Sequence, residues 1–116
     1  MPDMSSRVEL TCLMDFYGPL LTGHRLEIMR MYCEEDLSFS EIAAQTGISR
    51  QAVADTVKKS REKLEQYEST LGMLARYRGI TAEAEGCLRA LDALNVPEGD
   101  KLPLRTALEN ILKTER

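Results

Sequence analysis

Between Ser49 and Lys63 the chain carries Arg50, Lys58, Lys59, Arg61 and Lys63 against only Asp55 and Glu62. At neutral pH such cations recognise anions. A guanidinium fork fits phosphate or the O6/N7 edge of guanine, and a carboxamide such as Gln51 fits the edge of adenine. The order along the chain separates these tasks. Ser49, Arg50 and Gln51 open a helical stretch, where a recognition helix meets base edges. Ala54, Asp55 and Lys58 continue the same face, while Lys59, Arg61 and Lys63 are placed for phosphates.

Other chemistry lacks its residues. His24 has no carboxylate or cysteine at ligand spacing and reads as a surface histidine. Cys12, Cys33 and Cys87 are odd in number and widely spaced, as reduced thiols used for small apolar packing would be. Glu34, Glu35 and Asp36 are adjacent acids that diverge from one another, so they read as a solvated turn rather than a cation site. No Gly-rich phosphate loop, nucleophile–histidine pair or zinc spacing occurs. The chain is expected to be non-catalytic, with no cofactor and no metal.

The elements that must position the cations are legible from capping chemistry. Ser38 and Glu41 form an S-x-x-E capping box, flanked by Leu37 and Ile42 as a hydrophobic staple. Gly47 ends that short helix in the left-handed conformation, and Ser49 caps the next helix. Val53, Val57, Ser60 and Leu64 form the inward stripe of this second helix. Upstream, residues 6 to 17 read as a first helix stopped by Gly18-Pro19. Thr22 reads as the cap of a helix reaching about Glu35, with Ile28, Met31 and Tyr32 inward.

The segment LSFSEIAAQTGISRQAV resembles the helix-turn-helix of sigma factor region 4. SRQAV followed by KKSREKLEQYE, together with the upstream LMDFYGPLLTGHR (Leu13 to Arg25), resembles more specifically the YlxM family. These are small bacterial proteins encoded beside the signal recognition particle GTPase. The resemblance covers residues 7 to about 78. It implies an all-α fold with a tri-helical head, DNA binding through the second helix of the motif, and a link to the signal recognition particle pathway.

The 116-residue length suits one helical domain, with no run of ~18 apolar residues to span a membrane. MPDMSSRVEL lacks a signal peptide, so a cytoplasmic protein is expected. The net charge is −4; residues 49 to 63 carry +3, leaving −7 for the remainder. Positive charge is thus concentrated where phosphate binding needs it.

Leu64, Tyr67, Leu71 and Leu74 repeat at alternating spacings of three and four. This seam predicts that the basic helix continues to about Arg76, roughly 40 Å at 1.5 Å per residue, and that it forms a homodimer. A fifth helix is expected from Thr81 or Ala82, with Glu83 and Glu85 near its start. Its inner face is Ala84, Cys87, Leu88, Leu91 and Leu94. Asp100 is expected to cap a sixth helix with Pro103 in its first turn and Leu104, Leu108, Ile111 and Leu112 inward. These last two helices read as a hairpin.

Two functions of different class follow. One is a DNA-binding transcriptional regulator. The other is a protein-interaction adaptor of the signal recognition particle pathway on the same scaffold. RNA is a third ligand for the basic helix, weakened by the lack of aromatic stacking platforms.

Overall fold

A computed structural model describes residues 4–114, with side chains for 7–113. Met1–Asp3, at the start of the stretch read as lacking a signal peptide, lie outside the described residues. The described residues form α1 (Met4–Tyr17), a 3₁₀ turn (Gly18–Leu20), α2 (Gly23–Cys33), α3 (Phe39–Thr46), α4 (Arg50–Leu71), α5 (Met73–Ala93) and α6 (Glu98–Thr114). No strand occurs among them, and no helix among them is long and apolar enough to cross a membrane. The chain divides into two compact units at Gly72.

The first unit is a four-helix head. Its core is Leu10, Leu13 and Tyr17 of α1, Ile28 and Met29 of α2, Ile42 of α3, and Val53, Val57, Ser60 and Leu64 of α4. Val8, near the start of α1, is 56% exposed, while Leu10 is buried. The buried set of α4 is the stripe that helical periodicity predicts. Tyr17 is fully buried, and its hydroxyl donates to Glu68 Oε1 at 2.5 Å, tying the end of α1 to the end of α4.

The turn between α3 and α4 follows its residues. The capping box is complete: Glu41 N donates to Ser38 Oγ at 3.1 Å, and Ser38 N to Glu41 Oε1 at 2.9 Å. Gly47 has φ 77°, and its N–H closes on Ala43 O. Ser49 Oγ accepts from Ala52 N at 3.0 Å. The N-terminus of α2 departs from expectation. Thr22 holds the cap position in extended geometry, but its side chain makes no cap bond. Gly23, the first residue of α2, has the left-handed φ of 53° rather than a helical one.

The largest correction concerns α4. It ends at Leu71, because Gly72 takes φ 63° and its N–H bonds Glu68 O. The expected continuation to Arg76, and with it a single seam, does not exist. Leu64 is buried in the head, Tyr67 packs a tilted ring on Tyr17 at 6.0 Å, Leu71 is 50% exposed, and Leu74 is buried on a different helix.

In the second unit α5 and α6 pack against each other. Because α5 begins at Met73, Glu83 and Glu85 lie mid-helix, not at a favourable N-terminus. Ala84 and Leu91 are buried as expected, but Cys87 and Leu94 are exposed. α6 begins at Glu98, so Asp100 lies inside it and Pro103 falls beyond the first turn. Leu104 is 57% exposed and Ile111 39%, leaving Leu108 and Leu112 half-buried on the expected inner stripe. Arg105 Nη2 donates to Asp92 Oδ1 at 2.7 Å and joins the two helices.

Candidate nucleic-acid interface

α4 is fixed by its own sequence: a serine cap, a glycine stop, and an apolar stripe that commits one side to the core. The opposite side is therefore settled. Gln51, Asp55, Lys58 and Lys59 are exposed and have no ion pair or side-chain hydrogen bond among the described residues. Ala54 is half-buried at the edge of this face. Ser49 is exposed, with its hydroxyl engaged in the cap.

Arg50 is exposed but not adrift. Its guanidinium carbon lies 5.7 Å from the centroid of the Phe39 ring. Phe39 in turn stacks on Tyr32 with centroids 5.3 Å apart and planes 30° off parallel. Arg7 covers Tyr32, at 4.3 Å from its centroid. One side chain from each helix of the head thus forms a ladder: Arg7, Tyr32, Phe39, Arg50. Its inner end is anchored, since Arg7 Nη2 donates to the Tyr32 carbonyl at 2.8 Å and pairs with Asp36 Oδ1 at 2.8 Å. That carbonyl is among the last of α2, which lack partners within the helix. Asp36 meets Arg7 from a left-handed backbone, φ 57°, which Asp tolerates better than most residues.

Sequence reasoning missed this ladder. The available signal was Phe39, an aromatic at the first position of a capped helix that the apolar pattern of Ile42 and Ala43 does not require.

Arg61, expected to reach phosphates, is less exposed than its neighbours Lys58 and Lys59. It is half-buried and lies within electrostatic reach of Cys33, whose thiol is pushed up by burial and pulled partly back by Thr11, Arg7 and Arg61. The reason is rotational: one residue past Ser60, Arg61 sits on the flank of the inward stripe. The outward cations of residues 49 to 63 are then Arg50, Lys58, Lys59 and Lys63, against Asp55 and Glu62. Lys63 lies 6.0 Å from the Tyr67 ring. With Lys59 and the half-buried Arg25 of α2 it lines a shallow groove, which Glu62 and Glu65 share. Arg25 is a second cation that the sequence pattern did not single out. No group of acids, histidines and cysteines able to hold a metal ion occurs among the described residues.

Comparison with known proteins finds a family and several relatives. Residues 4–83 match the model of the UPF0122 family, described as "Putative helix-turn-helix protein, YlxM / p13 like". A UPF0122 protein of Clostridium botulinum is 36% identical over 109 residues, covering 93% of this chain and 100% of that protein. One of Symbiobacterium thermophilum is 45% identical over 83 residues, 72% of this chain and 78% of that protein. One of Clostridium kluyveri is 36% identical over 91 residues, 78% and 82% respectively. No solved structure matches.

Proposed function

The chain belongs to the UPF0122 family of YlxM / p13-like proteins, and from that premise we propose that it binds duplex DNA through the outward face of α4 as a regulator of transcription. The observation that carries this reading is Arg50. It stands at the first position of α4 with its guanidinium carbon within cation–π reach of Phe39, and no ion pair engages it among the described residues. The start of a recognition helix is where base edges are read, and a guanidinium fork matches guanine. Gln51 stands beside it. Lys58 and Lys59 supply attraction to phosphate that does not depend on sequence.

The two groups of residues separate in a binding titration on duplexes. Arg50→Ala is expected to cost roughly 1–3 kcal/mol on the preferred site and to relax preference at one base pair. Lys58→Ala is expected to weaken all duplexes alike and to reduce the salt slope by about one unit. If Arg50→Ala behaved like Lys58→Ala, α4 would be a phosphate-binding element without base readout.

The low charge of the face favours a dimeric form in which two heads engage one duplex, since linking two sites raises apparent affinity without new contacts. The resemblance also implies a role in the signal recognition particle pathway. That role, as a protein adaptor, takes precedence if duplex DNA is not bound.

A further inference from the structure

A second group of cations lies on the flank of α4 away from Arg50. Arg50 sits on the α3 side, over the Phe39 ring. Lys59 comes about two and a half turns later, which puts it on the opposite side of the helix. Between these flanks the outward centre holds Gln51, Asp55, Lys58 and Glu62, all exposed. Lys59 and Lys63 stand about one turn apart and share the groove with Arg25 of α2. Glu62 and Glu65 line the same groove, so three cations against two acids leave it at +1.

Arg25 is the unusual member. It is half-buried, yet it has no hydrogen bond or ion pair among the described residues. It also occupies the first turn of α2, the positive end of the helix dipole, where no acid is present. The Thr22 side chain makes no cap bond at that end. A guanidinium partly stripped of water beside a positive helix end is held there at a cost that an external anion offsets. Duplex DNA supplies anions in a matching arrangement. A helix about 10–12 Å across fills a major groove about 12 Å wide, so its flanks run beside the two phosphate rims. With the start of α4 directed at base edges, the α2 flank faces one rim. An isolated phosphate is a poorer match, because cations spread over two helices at a net +1 suit a run of phosphates better than one ion.

We infer that Arg25, with Lys59 and Lys63, holds the phosphate backbone of one DNA strand along the α2 side of α4. This rests on the duplex-binding reading above and adds to it a contact from outside the helix-turn-helix.

The experiment is a duplex titration over a range of salt for the wild type, Arg25→Ala, Arg25→Lys, Lys63→Ala and Arg30→Ala. Arg30 is an exposed cation in the last turn of the same helix and does not line the groove, so it controls for net charge. Arg25→Ala and Lys63→Ala are each expected to weaken all duplexes alike and to reduce the salt slope by about one unit. Arg25→Lys and Arg30→Ala should keep the wild-type slope, and Glu62→Gln should tighten every duplex. A wild type that binds duplex while Arg25→Ala and Lys63→Ala keep its slope overturns the contact and leaves the reading of α4 standing. A slope reduced as much by Arg30→Ala overturns it too, since the effect is then one of net charge. Inorganic phosphate at matched ionic strength should not displace duplex from the wild type. Displacement that Arg25→Ala abolishes would make the groove a site for free phosphate and overturn the strand contact. A wild type that binds no duplex at low salt overturns both the contact and the reading beneath it.

Discussion

In the proposed DNA-binding reading, Arg50 is positioned by residues that do not themselves touch the ligand. Long cationic side chains lose about 2 kcal/mol of rotamer freedom on being fixed. The Phe39 ring removes part of that freedom before binding, and Tyr32 with Arg7 behind it holds the ring. Phe39→Leu keeps the apolar volume and removes the ring face. An exposed cation–π contact is worth about 0.5–1 kcal/mol, so affinity for the preferred duplex should fall about two- to fivefold, with an unchanged salt slope. Titration of both proteins on that duplex checks this, and equal affinities would remove Phe39 from the account. A second residue-scale prediction concerns pH. Hydrogen bonds from the Ser38 backbone and side chain hold the Glu41 carboxyl below its ordinary value of 4.5. A folded-state pKa below the unfolded one contributes stability that is present above pH 4.5 and lost as pH falls through the folded value. Glu41→Gln removes this titration. Thermal melts should show the wild type the more stable at pH 6, with the difference shrinking toward pH 3.

At the scale of elements, two positions of the helix-turn-helix give opposite predictions. Gly47 has φ 77° and open space where a Cβ would stand, so its penalty on substitution is purely conformational. Gly47→Val should cost on the order of 1–3 kcal/mol, read as a lowered melting temperature. Ser60 is fully buried with an unpartnered hydroxyl among the described residues. Ser60→Ala should therefore leave stability unchanged or raise it, since no hydrogen bond is lost and a buried polar group is removed. Ser60→Leu should cost about 1–3 kcal/mol by overpacking the small contact where α4 meets the head. The head was legible in the sequence because its signals are local. A capping box, a left-handed glycine and an inward stripe of Val53, Val57, Ser60 and Leu64 each specify geometry over a short stretch of chain. The junction after α4 was not legible, because Gly72 and Gly79 carry the same local signal. Gly72 takes the left-handed cap at φ 63°, while Gly79, Ile80 and Thr81 stay helical despite weak propensity. The ladder was hidden for a related reason. It joins residues 7, 32, 39 and 50, a pairing that no single periodicity contains.

For the whole molecule the question is one of charge. A chain of net −4 binds DNA only if its positive face is presented locally and its acidic remainder is held away or outweighed by valency. The outward face of α4 supplies modest attraction, so the account expects weak binding by one head and stronger binding by two. The most direct measurement is a titration of the wild-type protein against a random duplex pool at low and at moderate salt. Binding that is clear at low salt, weakens steeply as salt rises, and is further weakened for all duplexes by Lys58→Ala is the predicted result. No binding at low salt, where attraction to phosphate is strongest, would contradict the account and leave the helix-turn-helix as a scaffold for protein contacts.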